Sequence, residues 1–388
     1  MAYSAEVIVV GGGPAGSTLA GYLAEQDVDV LVLDKEFFPR SKPCAGGVTS
    51  RALAALGFSL PETIVREKCY TFRAVYGDTV REASFEEPYV FTVDRKELDT
   101  FLLKRARGLG AKVQQGEKVI TVESTRSGIV VQTETASYRA PLVVGADGIP
   151  SRVARLVGHQ GPVNAAACLC ADVPWPEENS DRFHGTLETH WGLSRWGYAW
   201  VFPKKDHLSI GLGTWDRGQQ NLKALWTSFV QSQGLPLVKA QGHLIPEGGK
   251  TKNQVTDNLL LVGDAAGFAD PLTGEGLYYA FMSAQIAAET ILALKKQGLA
   301  YTGNNLARYE KTCWQLFGQD LRCAMRLNKI AKRYPKLWQQ AFRVPVDWFA
   351  RALQVVQGKA SYRQMYYWTL PRLPLLWAYT YAPTNYMR

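Results

Sequence analysis

Across 388 residues the chain is 46% hydrophobic and 20% charged, which is enough apolar sequence for two or three cores and excludes a disordered polymer. Six cysteines without a Cys-x-x-Cys pair and five scattered histidines exclude a zinc or iron–sulfur framework, so no metal is expected. The net charge of +9 is confined to the tail: residues 324 to 388 hold 11 Lys and Arg against Asp347, and the remainder carries 33 bases against 34 acids.

The first predicted element is a strand over Glu6 to Val10, β-branched and apolar throughout, followed without a spacer by Gly11-Gly12-Gly13-Pro14-Ala15-Gly16. A helix over Ser17 to Gln26 and a second buried strand from Val28 to Leu33, ending in Asp34, complete a βαβ unit. The glycines serve different ends. Gly11 permits the tight turn, Gly13 lets the backbone approach a pyrophosphate, and Gly16 lets the helix pack closely on the strands. The helix N-terminus offers unpaired amides to phosphates, and Asp34 can accept both ribose hydroxyls. The pattern therefore predicts an adenine dinucleotide, and an acid at Asp34 favours FAD or NAD over a 2′-phosphorylated cofactor.

Lys35 to Thr49 is rich in turn residues and contains Lys42-Pro43-Cys44-Ala45-Gly46-Gly47, where paired glycines allow a close backbone approach. A short helix is predicted over Ser50 to Leu56, and Cys69 to Val75 and Ala83 to Phe91 read as strands of a separate antiparallel sheet. A helix opens near Val93 and runs to about Arg107, with strands following at Ala111 to Gln114, Val119 to Ser124, Gly128 to Thr133 and Ala136 to Arg139. Pro141 to Gly148 is another apolar strand, ending in Asp147 between small residues, and Ser151-Arg152-Val153 leads into a helix.

Residues 162 to 250 return to sheet, with alternation clearest in Tyr198 to Pro203 and Leu208 to Gly213. The parallel pattern then resumes in Leu259 to Gly267, and Pro271-Leu272-Thr273-Gly274-Glu275-Gly276 precedes a long helix from Leu277 to about Lys296. Nucleotide-binding segments (1–65, 93–160, 251–300) thus alternate with segments of a second sheet (66–92, 161–250), and a helical region follows from 301 to 388.

Residues 324 to 388 carry 13 of the 44 aromatic residues, among them Trp338, Trp348, Phe349, Tyr366, Tyr367, Trp368 and Trp377. Cations mixed with Trp and Tyr suit a lipid headgroup interface; the same residues equally suit a solvated helical sub-domain with its own aromatic core. No nucleic-acid motif accompanies the charge. No uninterrupted apolar run reaches the ~18 residues of a spanning helix, and Met1 leads directly into the first strand, leaving no room for a signal peptide. The expectation is a cytoplasmic protein, peripheral on a membrane if the tail docks there.

Three strand-ending motifs stand together: the glycine turn with Asp34, Gly145-Ala146-Asp147-Gly148, and Gly263-Asp264. In these the sequence resembles the FAD-dependent class built like para-hydroxybenzoate hydroxylase. The resemblance implies an α/β fold, with a Rossmann-type FAD-binding domain interleaved with an antiparallel-sheet substrate domain and a C-terminal helical tail. In that class the residue matching Asp264 binds the ribityl chain, and the helix starting at Gly276 and Leu277 points its positive end at the flavin pyrimidine edge.

Within the class the sequence is similar to the geranylgeranyl reductase family over roughly Glu6 to Ala300. Lys42 to Gly47 matches that family's cysteine-glycine loop, and Tyr198-Ala199-Trp200-Val201-Phe202-Pro203 matches its Tyr-x-Trp-x-Phe-Pro strand. Gly267 stands where the hydroxylases usually place His. By this resemblance Gly11, Gly13, Pro14, Ala15, Gly16, Asp34, Lys35, Cys44, Ala45, Gly47, Arg95, Val119, Asp147, Asp264, Gly276 and Leu277 surround FAD. Tyr198, Trp200 and Phe202 line the substrate cavity. The implied reaction saturates an unactivated prenyl double bond, with a hydride from reduced flavin and a proton from Cys44, Tyr198 or a bound water. NADPH, NADH or ferredoxin is the implied external reductant, and no second dinucleotide motif is present.

The departures are Asp34 in place of the usual Glu, Ala45 in place of Gly, a turn at Glu25-Gln26-Asp27 without its glycine, and a tail with no matching motif. Two rivals share the cofactor: a monooxygenase or halogenase of the same fold, suggested by the tryptophan-rich stretch from Trp196 to Pro203, and a membrane-associated electron carrier without alkene chemistry.

Overall fold

The computed structural model describes residues 3–125, 128–156, 158, 165–176, 180–216, 218, 221–248, 254–337 and 347–381. Its nucleotide-binding layer is a six-stranded sheet in the spatial order Val255–Thr256, Leu259–Leu261, Leu142–Gly145, Val7–Val10, Val30–Asp34, Lys112–Gln115. Every pairing is parallel except the terminal hairpin. The central strands are completely buried, with helices packed on the sheet and the antiparallel strands Val119–Thr125, Gly128–Thr133 and Ser137–Ala140 joining the same core, which is why they read as continuous apolar runs. Val7–Val10 lies between Val30–Asp34 and Leu142–Gly145, so the chain winds outward in both directions from it. A crevice forms at the carboxyl ends of these strands.

The first helix, Pro14–Ala24, begins three residues before the predicted start because Pro14 takes the first helical position, where its missing N–H is no loss. At the unusual turn Asp27 adopts φ +53, the left-handed conformation that a glycine would otherwise supply and that Asp tolerates. The long helix spans Leu277–Lys296, as the periodicity predicts. It is the one described helix long and apolar enough to cross a bilayer, although 67% of its apolar window is buried in protein. Ser283, Gln285, Glu289 and Thr290 interrupt its apolar sequence.

The second layer is a seven-stranded sheet in the order Gln241–Pro246, Ala165–Pro174, His207–Thr214, Gly197–Pro203, Thr186–Trp191, Thr71–Tyr76, Thr79–Ser84. It is antiparallel except for one pair: Thr71–Tyr76 runs parallel to Thr186–Trp191. The predicted strand over Ala83 to Phe91 is two strands in different sheets. Thr79–Ser84 ends the large sheet, and Val90–Val93 sits at the centre of a three-stranded sheet between Gly47–Thr49 and Val65–Cys69. Pro88, which has no N–H for a ladder, lies between them.

The tail divides between these layers. Leu306 and Tyr309 of the Gly303–Cys313 helix join the core of the nucleotide-binding layer, where Tyr309 donates to the Leu261 carbonyl at 2.7 Å. Trp348, Tyr362, Met365 and Leu376 pack with Trp196, Trp200 and Trp215 of the large sheet. Several tail aromatics are therefore core, while Tyr367, Leu375 and Trp377 remain exposed. Trp338 lies outside the described residues.

Candidate functional site

The glycine turn is closed by contacts that no side chain could share. Gly11 has φ +108, and a Cβ there would lie 2.4 Å from the Ala146 carbonyl oxygen. A Cβ on Gly16 would lie 1.9 Å from the carbonyl of Gly11. Gly13 differs: its added Cβ meets only an Arg40 nitrogen at 3.6 Å and otherwise faces open space, at the N-cap of a helix with no side-chain cap. The first amides of that helix are thus available to a phosphate.

Asp34 ends its strand with Oδ2 accepting from the Gly12 amide at 2.6 Å and Oδ1 from the Glu36 amide at 2.8 Å. Burial pushes its carboxyl up, opposed by those amides and by Arg40. A carboxylate holds about four acceptor sites, so two remain for ribose hydroxyls. The Asp147 carboxylate is occupied otherwise: it accepts from Ser151 Oγ at 2.6 Å, Arg152 N at 2.6 Å and Val153 N at 3.0 Å. These bonds pin the turn whose Ala146 carbonyl lies under Gly11.

The loop Lys42 to Gly47 is clamped between layers. Gly46 has φ +74, and a Cβ on it would strike the Val93 carbonyl at 2.1 Å and Lys204 Nζ at 2.4 Å. Lys204 is 2% exposed and donates to the Val93 carbonyl. Burial lowers its pKa, with Asp94 as the leading opposing charge. The Cys44 sulfur accepts from the Gly46 amide at 3.4 Å, and the Arg95 guanidinium interacts with it electrostatically. Burial works against the charge on Arg95, yet its ion pair with Asp99 at 2.8 Å raises it above the usual range.

Gly276 caps the long helix without a side-chain bond, and a Cβ on it would lie 3.1 Å from Asp264 Oδ1. The Asp264 carboxylate makes no hydrogen bond among the described residues; burial raises its pKa, offset by Lys42 and Arg95. Beside it, Glu275 accepts from Thr49 Oγ1 at 2.5 Å and from Arg51 Nε at 3.0 Å, tying the helix start to the cysteine loop's following strand.

All these elements open on one cavity of about 710 Å³. Fifteen of the sixteen predicted cofactor positions line it; Gly16 packs behind. The open face at Gly13, the uncapped helix starts at Pro14 and Leu277, and the unpartnered Asp264 carboxylate fit a dinucleotide that carries a flavin. Tyr198, Trp200 and Phe202 line the same cavity from one face of their strand, with Trp191 stacked on Tyr198 at a centroid distance of 4.9 Å. Cys168 and Cys170 join them, their thiols pushed up to about 12 by burial. The Tyr198 hydroxyl donates to the Thr273 carbonyl, and burial raises its pKa far above that of a free phenol.

Sequence reasoning assigned no role to Lys42, Arg40, Arg51, Lys204, His243 or Glu275. Lys42 and Glu275 stand inside the loop and turn motifs, whereas His243 joins the site only through the sheet. Lys42 Nζ lies 3.1 and 3.2 Å from the two nitrogens of His243. Burial, Lys42 and then Arg95 push that imidazole down to about 3, and burial lowers Lys42 as well. As pH falls below about 6.5 the unfolded chain takes up a proton that folded His243 refuses until about pH 3, so stability drains across that window. His243→Gln is expected to shrink the acid-side loss by about 1–2 kcal/mol between about pH 7.5 and about pH 5. Melting curves at the two pH values check this, and an unchanged loss contradicts it.

The family model described as an FAD binding domain matches residues 4–319. The chain is 32% identical over 341 residues to digeranylgeranylglycerophospholipid reductase 2 of Methanothermobacter thermautotrophicus, covering 84% of this chain and 87% of that protein. It is 30% identical over 315 residues to geranylgeranyl diphosphate reductase of Synechocystis, covering 75% and 76%. Among solved structures, a geranylgeranyl bacteriochlorophyll reductase-like protein from Thermoplasma acidophilum superposes with a TM-score of 0.77 at 21% identity, over 98% of this chain and 97% of that one.

Proposed function

Because the chain belongs to the geranylgeranyl reductase family of FAD-dependent oxidoreductases, we propose that it saturates carbon–carbon double bonds of a prenyl lipid. The observation that carries this reading is the shape and lining of the cavity beyond the dinucleotide cradle. From Cys44 it continues past Trp200 and Phe202 to Phe72, Leu187 and Val356, the last contributed by the Trp348–Val356 helix of the tail. A long apolar wall without a charged anchor suits an isoprenoid chain.

FAD, when bound and reduced by NAD(P)H or ferredoxin, supplies the hydride. The chain's residues do the rest. Gly11, Gly13, Pro14, Ala15 and Asp34, with Lys35 at the rim, would hold the adenylate and pyrophosphate side, and Gly16 packs behind them. Asp264, Gly276 and Leu277 hold the flavin side with Ala45, Gly47, Arg95 and Val119. Asp147 positions the turn below them. Aromatic side chains exclude water and keep the alkene against the ring.

An unactivated alkene offers no carbonyl to polarise, so a positioned acid is needed. The Tyr198 proton is engaged by Thr273, whereas the Cys44 sulfur receives a bond from the Gly46 amide and interacts electrostatically with Arg95. Both leave the thiol proton for transfer, and the amide and the guanidinium charge would stabilise the thiolate that remains. Cys44 is accordingly the proton donor of this reading. Geranylgeranyl lipids incubated anaerobically with the FAD-loaded protein and dithionite should gain two hydrogens per reduced bond by mass spectrometry. No gain across diphosphate, glycerolipid and quinone acceptors, with flavin bound and reducible, sinks the proposal and directs the search to oxygen-dependent chemistry.

A further inference from the structure

Arg51, in the short helix that follows the cysteine loop, reaches across to the turn that starts the long helix. Its Nε donates to Glu275 Oε2 at 3.0 Å, a second guanidinium nitrogen donates to the same oxygen, and Thr49 Oγ1 donates to Oε1. Arg51 also lies 3.8 Å from Asp270 Oδ2, a wholly buried carboxylate. The other oxygen of Asp270 accepts from the Leu272 and Thr273 amides at 2.8 and 3.1 Å, and its own amide donates to the Glu275 carbonyl. The rings of Tyr278 and Tyr279 flank the guanidinium at 4.6 and 5.7 Å. The tail closes over it, since a Cβ on Gly358 would lie 3.5 Å from the Arg51 Cβ.

The Arg51 side chain is 13% exposed and that of Glu275 9%. Burial works against the charge on Arg51, and Glu275 is the leading influence that restores it. Among the described residues no other cation pairs with Glu275 or Asp270. The two partners stand differently toward the cofactor cradle: Glu275 lines the cavity, and Arg51 lies behind it. Glu275 immediately precedes Gly276, the N-cap of the long helix, where no side chain caps the first amides. An unpaired carboxylate there would cancel the positive helix end and repel negative charge in the adjoining cavity.

We propose that Arg51 is a positioning residue that sets the reduction potential of the bound flavin. It holds Glu275 as an ion pair, so that the helix start keeps its positive field for the negatively charged reduced ring. Arg51 acts through Glu275 and touches neither cofactor nor acceptor. The inference rests on the flavin lying at Gly276, as read above, and is independent of which acceptor is reduced. It requires that removing the two charges move the potential in opposite directions.

The test is anaerobic equilibration of the FAD-loaded protein with a redox dye, with thermal melting as the check on folding. Arg51→Gln should lower the ratio of reduced to oxidised flavin at a fixed dye potential about tenfold, a shift of about 30 mV for two electrons. Glu275→Gln should raise the ratio by about three- to tenfold. The double variant should return to within about twofold of wild type, and Arg51→Lys, which keeps the charge, should stay near it. Sulfite binds oxidised flavin more tightly where the protein favours negative charge on the ring, so its affinity should fall in Arg51→Gln and rise in Glu275→Gln.

Shifts of the same sign in both single variants, no shift in either, or a double variant as displaced as Arg51→Gln show a packing role and overturn the assignment. Where Arg51→Gln does not fold, Glu275→Gln decides the matter, because it removes charge without volume and an unchanged potential is then sufficient to refute. No lipid enters these measurements. Failure to reduce any prenyl acceptor therefore defeats the prenyl-reductase reading alone, whereas a flat series of potentials in a protein that reduces prenyl lipids defeats this inference alone.

Discussion

Gly13→Ala is expected to give a folded protein that purifies without FAD, and Gly16→Ala one that scarcely folds. The two positions are three residues apart in one turn, but a methyl group meets different neighbours at each. At Gly13 it enters the cavity, with Arg40 as its nearest contact at 3.6 Å and a φ of −72 that alanine adopts freely. It takes the volume that a pyrophosphate would occupy, and overpacking of about 1–3 kcal/mol corresponds to roughly a 5- to 150-fold loss of FAD affinity. At Gly16 it would lie 1.9 Å from the Gly11 carbonyl and 3.1 Å from the Ala146 side chain, both fixed backbone or core. The first helix must then move off the central strands. Flavin titration of the refolded apoprotein and thermal melting separate the two outcomes. A Gly13→Ala protein that retains FAD at wild-type affinity contradicts the placement of the pyrophosphate.

Cys44→Ala is expected to lower alkene reduction by about 10²- to 10⁴-fold, the usual contribution of a positioned acid, with FAD affinity and flavin reduction near wild type. Tyr198→Phe should stay within a few-fold, because the phenol proton is already given to Thr273. Rapid-mixing measurements of the two half-reactions distinguish these effects. Full alkene reduction by Cys44→Ala would pass the proton to a bound water, and a collapse in Tyr198→Phe would pass it to the tyrosine.

The βαβ unit and the Leu277–Lys296 helix were legible because local patterning determines them: a β-branched run, a glycine turn and a long apolar face need no distant partner. The cofactor side of the site followed, since nearly all of its residues lie within a few positions of a strand end. Other features were not legible because they depend on pairings between distant segments. The parallel pairing of Thr71–Tyr76 with Thr186–Trp191 joins segments more than 100 residues apart, and nothing in either strand's alternation announces it. The contact between Lys42 and His243 spans 201 positions. Ala83 to Phe91 read as one strand because its apolar residues concealed the break at Pro88. The tail's aromatics could not be sorted from composition, as burial of Trp348 and Tyr362 and exposure of Tyr367 and Trp377 follow from packing on the large sheet.

The most direct test of the central claim is anaerobic reoxidation of the protein-bound, dithionite-reduced flavin on mixing with a geranylgeranyl lipid, followed by flavin absorbance in a single turnover. The account predicts reoxidation that is saturable in lipid, absent with the fully saturated phytanyl analogue, and matched by two hydrogens gained per flavin oxidised. Flavin that stays reduced with the unsaturated lipid, yet is reoxidised at once by oxygen with product formation, contradicts it.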